Sequence, residues 1–60
     1  MKPGDLRQFL WSVPTPLTGK TFLVINVRQT LADFLMDGNL CKNWNIFFIK
    51  DNSRPVDETG

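Results

Sequence analysis

The segment TPLTGKT, residues 15–21, ends in the Gly-Lys-Thr of a phosphate-binding loop. Such a loop aims backbone N–H groups and a lysine at phosphate oxygens. It requires a second glycine five residues before Gly19, and a strand before the loop with a helix after it. Position 14 is Pro14 and the residues that follow read as a strand, so nucleotide binding is not supported. General acid–base chemistry needs two carboxylates converging in one cleft. Asp33 and Asp37 fall in the same hairpin, where Lys42 is the natural partner of Asp33 and turn chemistry accounts for Asp37. Ser12 and Ser53 have no histidine to activate them, and Cys41 lacks a histidine base as well, because the chain contains no histidine. One cysteine without histidine also rules out an intrachain disulfide and a Cys/His zinc site. The chain therefore reads as non-enzymatic, with no metal, no cofactor and no small-molecule substrate.

Binding chemistry has more to work with. Trp11, Lys20, Arg28 and Trp44 interleave aromatic and basic groups, which could stack bases and neutralise phosphates as small barrels do. The competing reading places both tryptophans in the core that so short a chain needs. The net charge of +1 gives little long-range pull on a polyanion. The charge is uneven: residues 1–32 carry Lys2, Arg7, Lys20 and Arg28 against Asp5, whereas residues 33–60 carry three cations against Asp33, Asp37, Asp51, Asp57 and Glu58. Such asymmetry can steer a partner or be a solvated surface only. Pro14 and Pro16 make no PxxP pair and read as a stiff, exposed loop. A partner-binding surface is expected to draw on Trp11, Pro14, Pro16, Lys20, Arg28 and Phe47.

Sixty residues make at most one domain, and a chain of this length buries only about 60% of its unfolded surface. Seven phenylalanines and tryptophans supply the material for a core. TFLVINVR, residues 21–28, is the clearest strand: β-branched and aromatic residues dominate, with Leu23, Ile25 and Val27 on one face and Phe22, Val24, Asn26 and Arg28 on the other. DLRQFLW, residues 5–11, reads as a first strand after the Pro3-Gly4 turn. In residues 30–44 two readings compete. A helix could start at Thr30 and stop at Gly38, but it would run only about seven residues, which is marginal without strong packing. A hairpin would use Asp37-Gly38 as a type I′ turn and pair Met36 with Asn39, Leu35 with Leu40, Phe34 with Cys41 and Asp33 with Lys42. The hairpin is preferred. NIFFIKD, residues 45–51, reads as a closing strand or as a 3₁₀ turn followed by a short strand. The expected fold is all-β, a five-stranded antiparallel barrel or half-barrel over residues 1–51, with residues 52–60 as an extended polar tail.

The motif order Pro3-Gly4-Asp5-Leu6, Gly19, Leu23-Val24-Ile25-Asn26-Val27-Arg28, Leu35-Met36-Asp37-Gly38-Asn39, Trp44 and Phe48-Ile49 resembles the very small SH3-like barrel proteins encoded by tailed bacteriophages. That resemblance implies an SH3-like barrel from a phage genome and does not by itself imply one activity. An aromatic-rich chain without staples and with an extended tail is expected to be a structural or interaction protein docked on a larger assembly, and a phage source points to a capsid or tail, as a cement, decoration or tail-associated subunit. The lone Cys41 fits a reducing compartment, so the expected location is the virion or the host cytoplasm. A nucleic-acid-binding accessory role through Arg7, Lys20 and Arg28, or inhibition of a host enzyme, is the alternative. MKPGDLRQF does not read as a signal peptide, and no apolar run approaches the roughly 18–20 residues of a membrane span.

Overall fold

The computed structural model describes residues 1–10 and 16–56. Five strands and one short helix follow in the order β1 (Leu6–Phe9), β2 (Thr21–Val27), β3 (Leu31–Met36), β4 (Asn39–Asn45), α1 (Ile46–Asp51) and β5 (Ser53–Pro55). They form a single antiparallel sheet in the order β4-β3-β2-β1-β5.

The expected hairpin is present at residues 31–45. Asp37 and Gly38 have φ of 54° and 77°, the pair of positive angles that a two-residue type I′ turn requires and that matches the twist of the flanking strands. The register pairs Met36 with Asn39, Leu35 with Leu40 and Phe34 with Cys41. The fourth expected pair, Asp33 with Lys42, does not form. The ladder steps from Phe34–Cys41 to Ala32–Trp44, so Lys42 and Asn43 together oppose Asp33. Asn43 takes φ 60° to make this bulge, a left-handed conformation that asparagine tolerates better than most residues.

A second bulge lies on β2, where the pairs Val24–Phe34 and Asn26–Asp33 leave Ile25 without an opposite residue. Each bulge changes which residues share a face, since strict alternation is interrupted by one residue. On β4, Cys41 and Trp44 both pack on the core although they stand three positions apart. On β2 the buried pair is Phe22 and Val24, with Val27 again packed on the core. The apolar alternation Leu23, Ile25, Val27 is therefore not the core face: Leu23 is exposed and the bulge brings only Val27 inward.

Three further expectations are corrected. The sheet is open rather than a closed barrel, with β4 and β5 as its two edges. Residues 46–51 are helical, not extended. Asn45 caps the helix, its side-chain oxygen accepting from the amides of Phe47 (2.8 Å) and Phe48 (3.2 Å). Ile46 and Ile49, three residues apart, turn to the core. Finally, the segment from Asn52 does not lie free of the fold: Ser53–Pro55 pairs with Arg7–Phe9, and the Val56 amide bonds the Leu6 carbonyl at 2.9 Å. Residues 57–60 of the expected tail lie outside the described residues.

Helix α1 also forces the sheet to curl. The chain passes from one edge strand to the other between Asn45 and Ser53, a path of at most about 16 Å when six residues are helical. Edge strands of a flat five-stranded sheet would stand about 19 Å apart. The concave side that results encloses Phe9, Phe22, Val24, Ala32, Phe34, Ile46 and Ile49. Its centre is aromatic: Phe34 lies 4.6 Å from Phe22, 6.0 Å from Phe9 and 5.0 Å from Trp44, centroid to centroid, distances at which ring pairs attract. Trp44 is half-buried here, resolving the question of its placement in favour of the core. At the far edge, Arg7 donates from Nε to Ser53 Oγ (2.8 Å) and from Nη2 to the Ser53 carbonyl (3.0 Å), while the buried Ser53 hydroxyl donates to the Ile49 carbonyl. One arginine thus ties β1, β5 and α1 together.

Phe34→Ala should cost about 3–5 kcal/mol, as much as a core of this size supplies in total. We expect its urea transition, followed by tryptophan fluorescence, to vanish. Leu40→Ala, on the exposed side, should keep its midpoint within about 0.5 kcal/mol of the parent.

Candidate interaction surface

Side chains alternate across a strand, so the residues between the core positions form the convex face of the sheet. The register places Leu6 opposite Leu23, Leu23 opposite Leu35, and Leu35 opposite Leu40. Four leucines therefore stand side by side on four neighbouring strands, and Val56 lies beside Leu6 through its amide bond to that residue. Leu23, Leu35 and Leu40 are 41%, 38% and 52% exposed. Scattered exposed leucines are ordinary, whereas a continuous row of them across a sheet is a candidate contact surface.

The row has polar margins. Toward the hairpin tip lie Gln8, Thr21 and Arg54. Arg54 donates to Gln8 Oε1 at 3.1 Å, and Gln8 Nε2 donates to the Gly19 carbonyl at 3.0 Å. On the opposite margin Asp33 follows Leu35 by alternation, and Lys42 follows Leu40. Asp33 is buried, and its carboxylate is fully engaged. Arg28 reaches both oxygens, Nη1 to Oδ2 at 3.0 Å and Nη2 to Oδ1 at 2.8 Å, and the Asn43 amide donates to Oδ1 at 2.9 Å. Arg28 Nη2 also donates to Asn43 Oδ1 at 2.7 Å. The arginine contacts, the Asn43 amide and the Asn26 side chain hold the Asp33 carboxyl well below the usual carboxylate range, the arginine being the strongest influence. Hydrogen bonding to Asp33 in turn raises Arg28 above its ordinary value. The partner expected from sequence was Lys42; the bulge replaces it with Arg28.

The residues singled out for partner binding do not converge. Lys20 and Arg28 flank opposite ends of β2, roughly 25 Å apart at the rise of an extended chain. Lys20 pairs with Asp37 at the hairpin tip, and Arg28 is committed to Asp33. Pro16 is exposed in the β1–β2 connection. Phe47, 59% exposed, projects from α1 beside the partly exposed Phe48. Trp11 and Pro14 lie outside the described residues. The leucine row was missed because its members were read strand by strand, although the Leu35–Leu40 pair was identified.

An open depression of about 540 Å³ is lined by Gln8, Phe9, Leu10, Thr18, Gly19 and Arg54, with no carboxylate and no thiol. Among the described residues no group of three or more His, Cys, Asp or Glu is placed to hold a metal ion, and no helix is long and apolar enough to cross a membrane. No protein-family model, curated protein or solved structure matches the chain.

Two outcomes test the Asp33 cluster. The folded pKa of Asp33 lies below its unfolded value, so its ionised form stabilises the fold above about pH 3.9 and that contribution disappears as pH falls toward the folded value. Asp33→Asn should lower the urea midpoint at pH 7 and flatten its decline between about pH 4 and pH 2 relative to the parent. At the bulge, Asn43→Gly keeps the amide that Asp33 accepts and should be tolerated, whereas Asn43→Val should lose roughly 1–2 kcal/mol or more from the left-handed φ, measured by the same titration.

Proposed function

We propose that this chain is a non-enzymatic interaction module of SH3-like type that docks on a larger protein assembly through the convex face of its sheet. The observation that carries the reading is the leucine row Leu6, Leu23, Leu35 and Leu40, aligned across four strands. An SH3-like assignment is supported by the strand order, in which the last short strand pairs with the first, by the long β1–β2 connection, by the tight β3–β4 hairpin and by the helical turn between β4 and β5. The resemblance to phage-encoded barrels is the support for a capsid or tail surface as the partner. Fold alone does not set function; the leucine face is what supports the docking reading.

Nucleic-acid binding is the weaker reading. Arg7, Lys20 and Arg28, the cations it needs, are engaged with Ser53, Asp37 and Asp33, and Trp44 packs on the core. Phosphate contacts would have to displace those partners.

The test is size-exclusion of a lysate from cells producing the chain. The parent should elute with a larger particle, and a Leu35→Lys, Leu40→Lys variant should elute at its own 6.9 kDa while keeping the parent's far-UV circular dichroism. A parent that elutes alone, or a variant that stays with the particle, overturns the proposal.

A further inference from the structure

The nature of the occupant can be taken further, on the reading that the convex face is a docking surface. The row formed by the four leucines on β1 to β4, with Val56 just past β5, has a pitch of about 4.8 Å and follows about 19 Å of arc along the curled sheet. Side chains three or four apart on a helix stand about 5–6 Å from one another, whereas same-face side chains of an extended segment repeat about every 6.6 Å. The pitch of the row is closer to the helical spacing, and 19 Å corresponds to about 13 helical residues.

Charge narrows the chemistry. Arg54 stands on one margin of the row, and Lys42 with Arg28 on the other. Asp33, the acid that alternation places on this face, is buried under Arg28, and Asp37 at the hairpin tip is held by Lys20. Among the described residues, both margins thus present cations without an uncompensated carboxylate between them. We propose that this face receives an acidic amphipathic helix of a partner protein, its apolar stripe on the leucine row and its carboxylates against Lys42 on one side and Arg54 on the other.

Other occupants fit less well. Among its described residues a second copy would offer only α1 as a helix, and its six residues include a single acid, Asp51. Among the described residues no aromatic side chain lies on this face to stack nucleic-acid bases. The most exposed aromatic among them, Phe47, which a membrane surface would engage, projects from α1 instead.

The experiment titrates the ¹⁵N-labelled chain with three synthetic 14-residue helical peptides that share a leucine stripe and differ only in Glu, Gln or Lys flanks. The Glu peptide should shift the amides of Leu6, Leu23, Leu35 and Leu40 and bind most tightly. Its Kd should rise about tenfold in a Lys42→Glu, Arg54→Glu variant, as expected for the loss of two exposed charge pairs. Equal binding of the Gln peptide to the row overturns the acidic preference and leaves the docking reading standing. No peptide binding, with the chain still eluting on a particle in a Leu35-dependent manner, overturns the helical occupant alone. If phosphatidylserine vesicles or oligo-dT shift these amides and the Glu peptide does not, the occupant is a membrane or a nucleic acid and the proposal falls.

Discussion

Asp33 is the constraint around which the sheet is organised. It sits on the central hairpin strand, between a bulge on β2 and a bulge on β4, and its carboxylate takes hydrogen bonds from groups on both sides. Each bulge leaves backbone polarity exposed, and the left-handed Asn43 points its amide directly at that carboxylate. Arg28 then seals the site, matching two guanidinium nitrogens to two oxygens. A buried carboxylate with one partner removed would be strongly unfavourable, so these contacts stand or fall together. They also decide side-chain placement. Without the β4 bulge Trp44 would face outward; without the β2 bulge Val27 would leave the core.

That placement matters because the chain has little else to hold it. With a single cysteine it has no intrachain disulfide, and among the described residues it has no metal cluster and only six helical residues. Burial of Phe9, Phe22, Phe34 and the inner part of Trp44 carries the hydrophobic term, and α1 closes the concave side by presenting Ile46 and Ile49. Curl, core and helix are thus one arrangement: the sheet must bend for a short helix to bridge its edges, and the bend encloses the rings. The convex face follows from the same bend, since the positions alternate with those of the core and happen to be leucine on four strands running.

Much of this was legible in the residues. Strand β2, the hairpin and its type I′ turn followed from β-branched composition and Asp37-Gly38, signals that act over a few residues. The bulges were not legible, because they depend on a carboxylate and an arginine five positions apart whose meeting is a tertiary event. The same event overturned the Asp33–Lys42 pair. Helix α1 was missed although its signals are present: Asn45 at the cap, Ile46 and Ile49 three apart, Lys50 in the last turn. In so short a segment the β propensity of Ile-Phe-Phe-Ile competed with them, and burial decided. Strand β5 was hidden by polar residues and Pro55, which an edge position accepts because one side of the strand needs no donor. The leucine row was visible only in part, since a row across strands requires every register to be known.

The two borders of the sheet bear on how such a chain survives at high concentration. An unpaired strand is a template on which a neighbouring molecule can continue the hydrogen-bonded ladder, and a protein with an aliphatic face would be poorly served by sticky borders as well. Here β4 is kinked at Lys42–Asn43, with a charge at the kink, and β5 offers three residues, one of them the amide-less Pro55. Growth of the ladder from molecule to molecule is thus disfavoured at either border, by geometry that serves folding first.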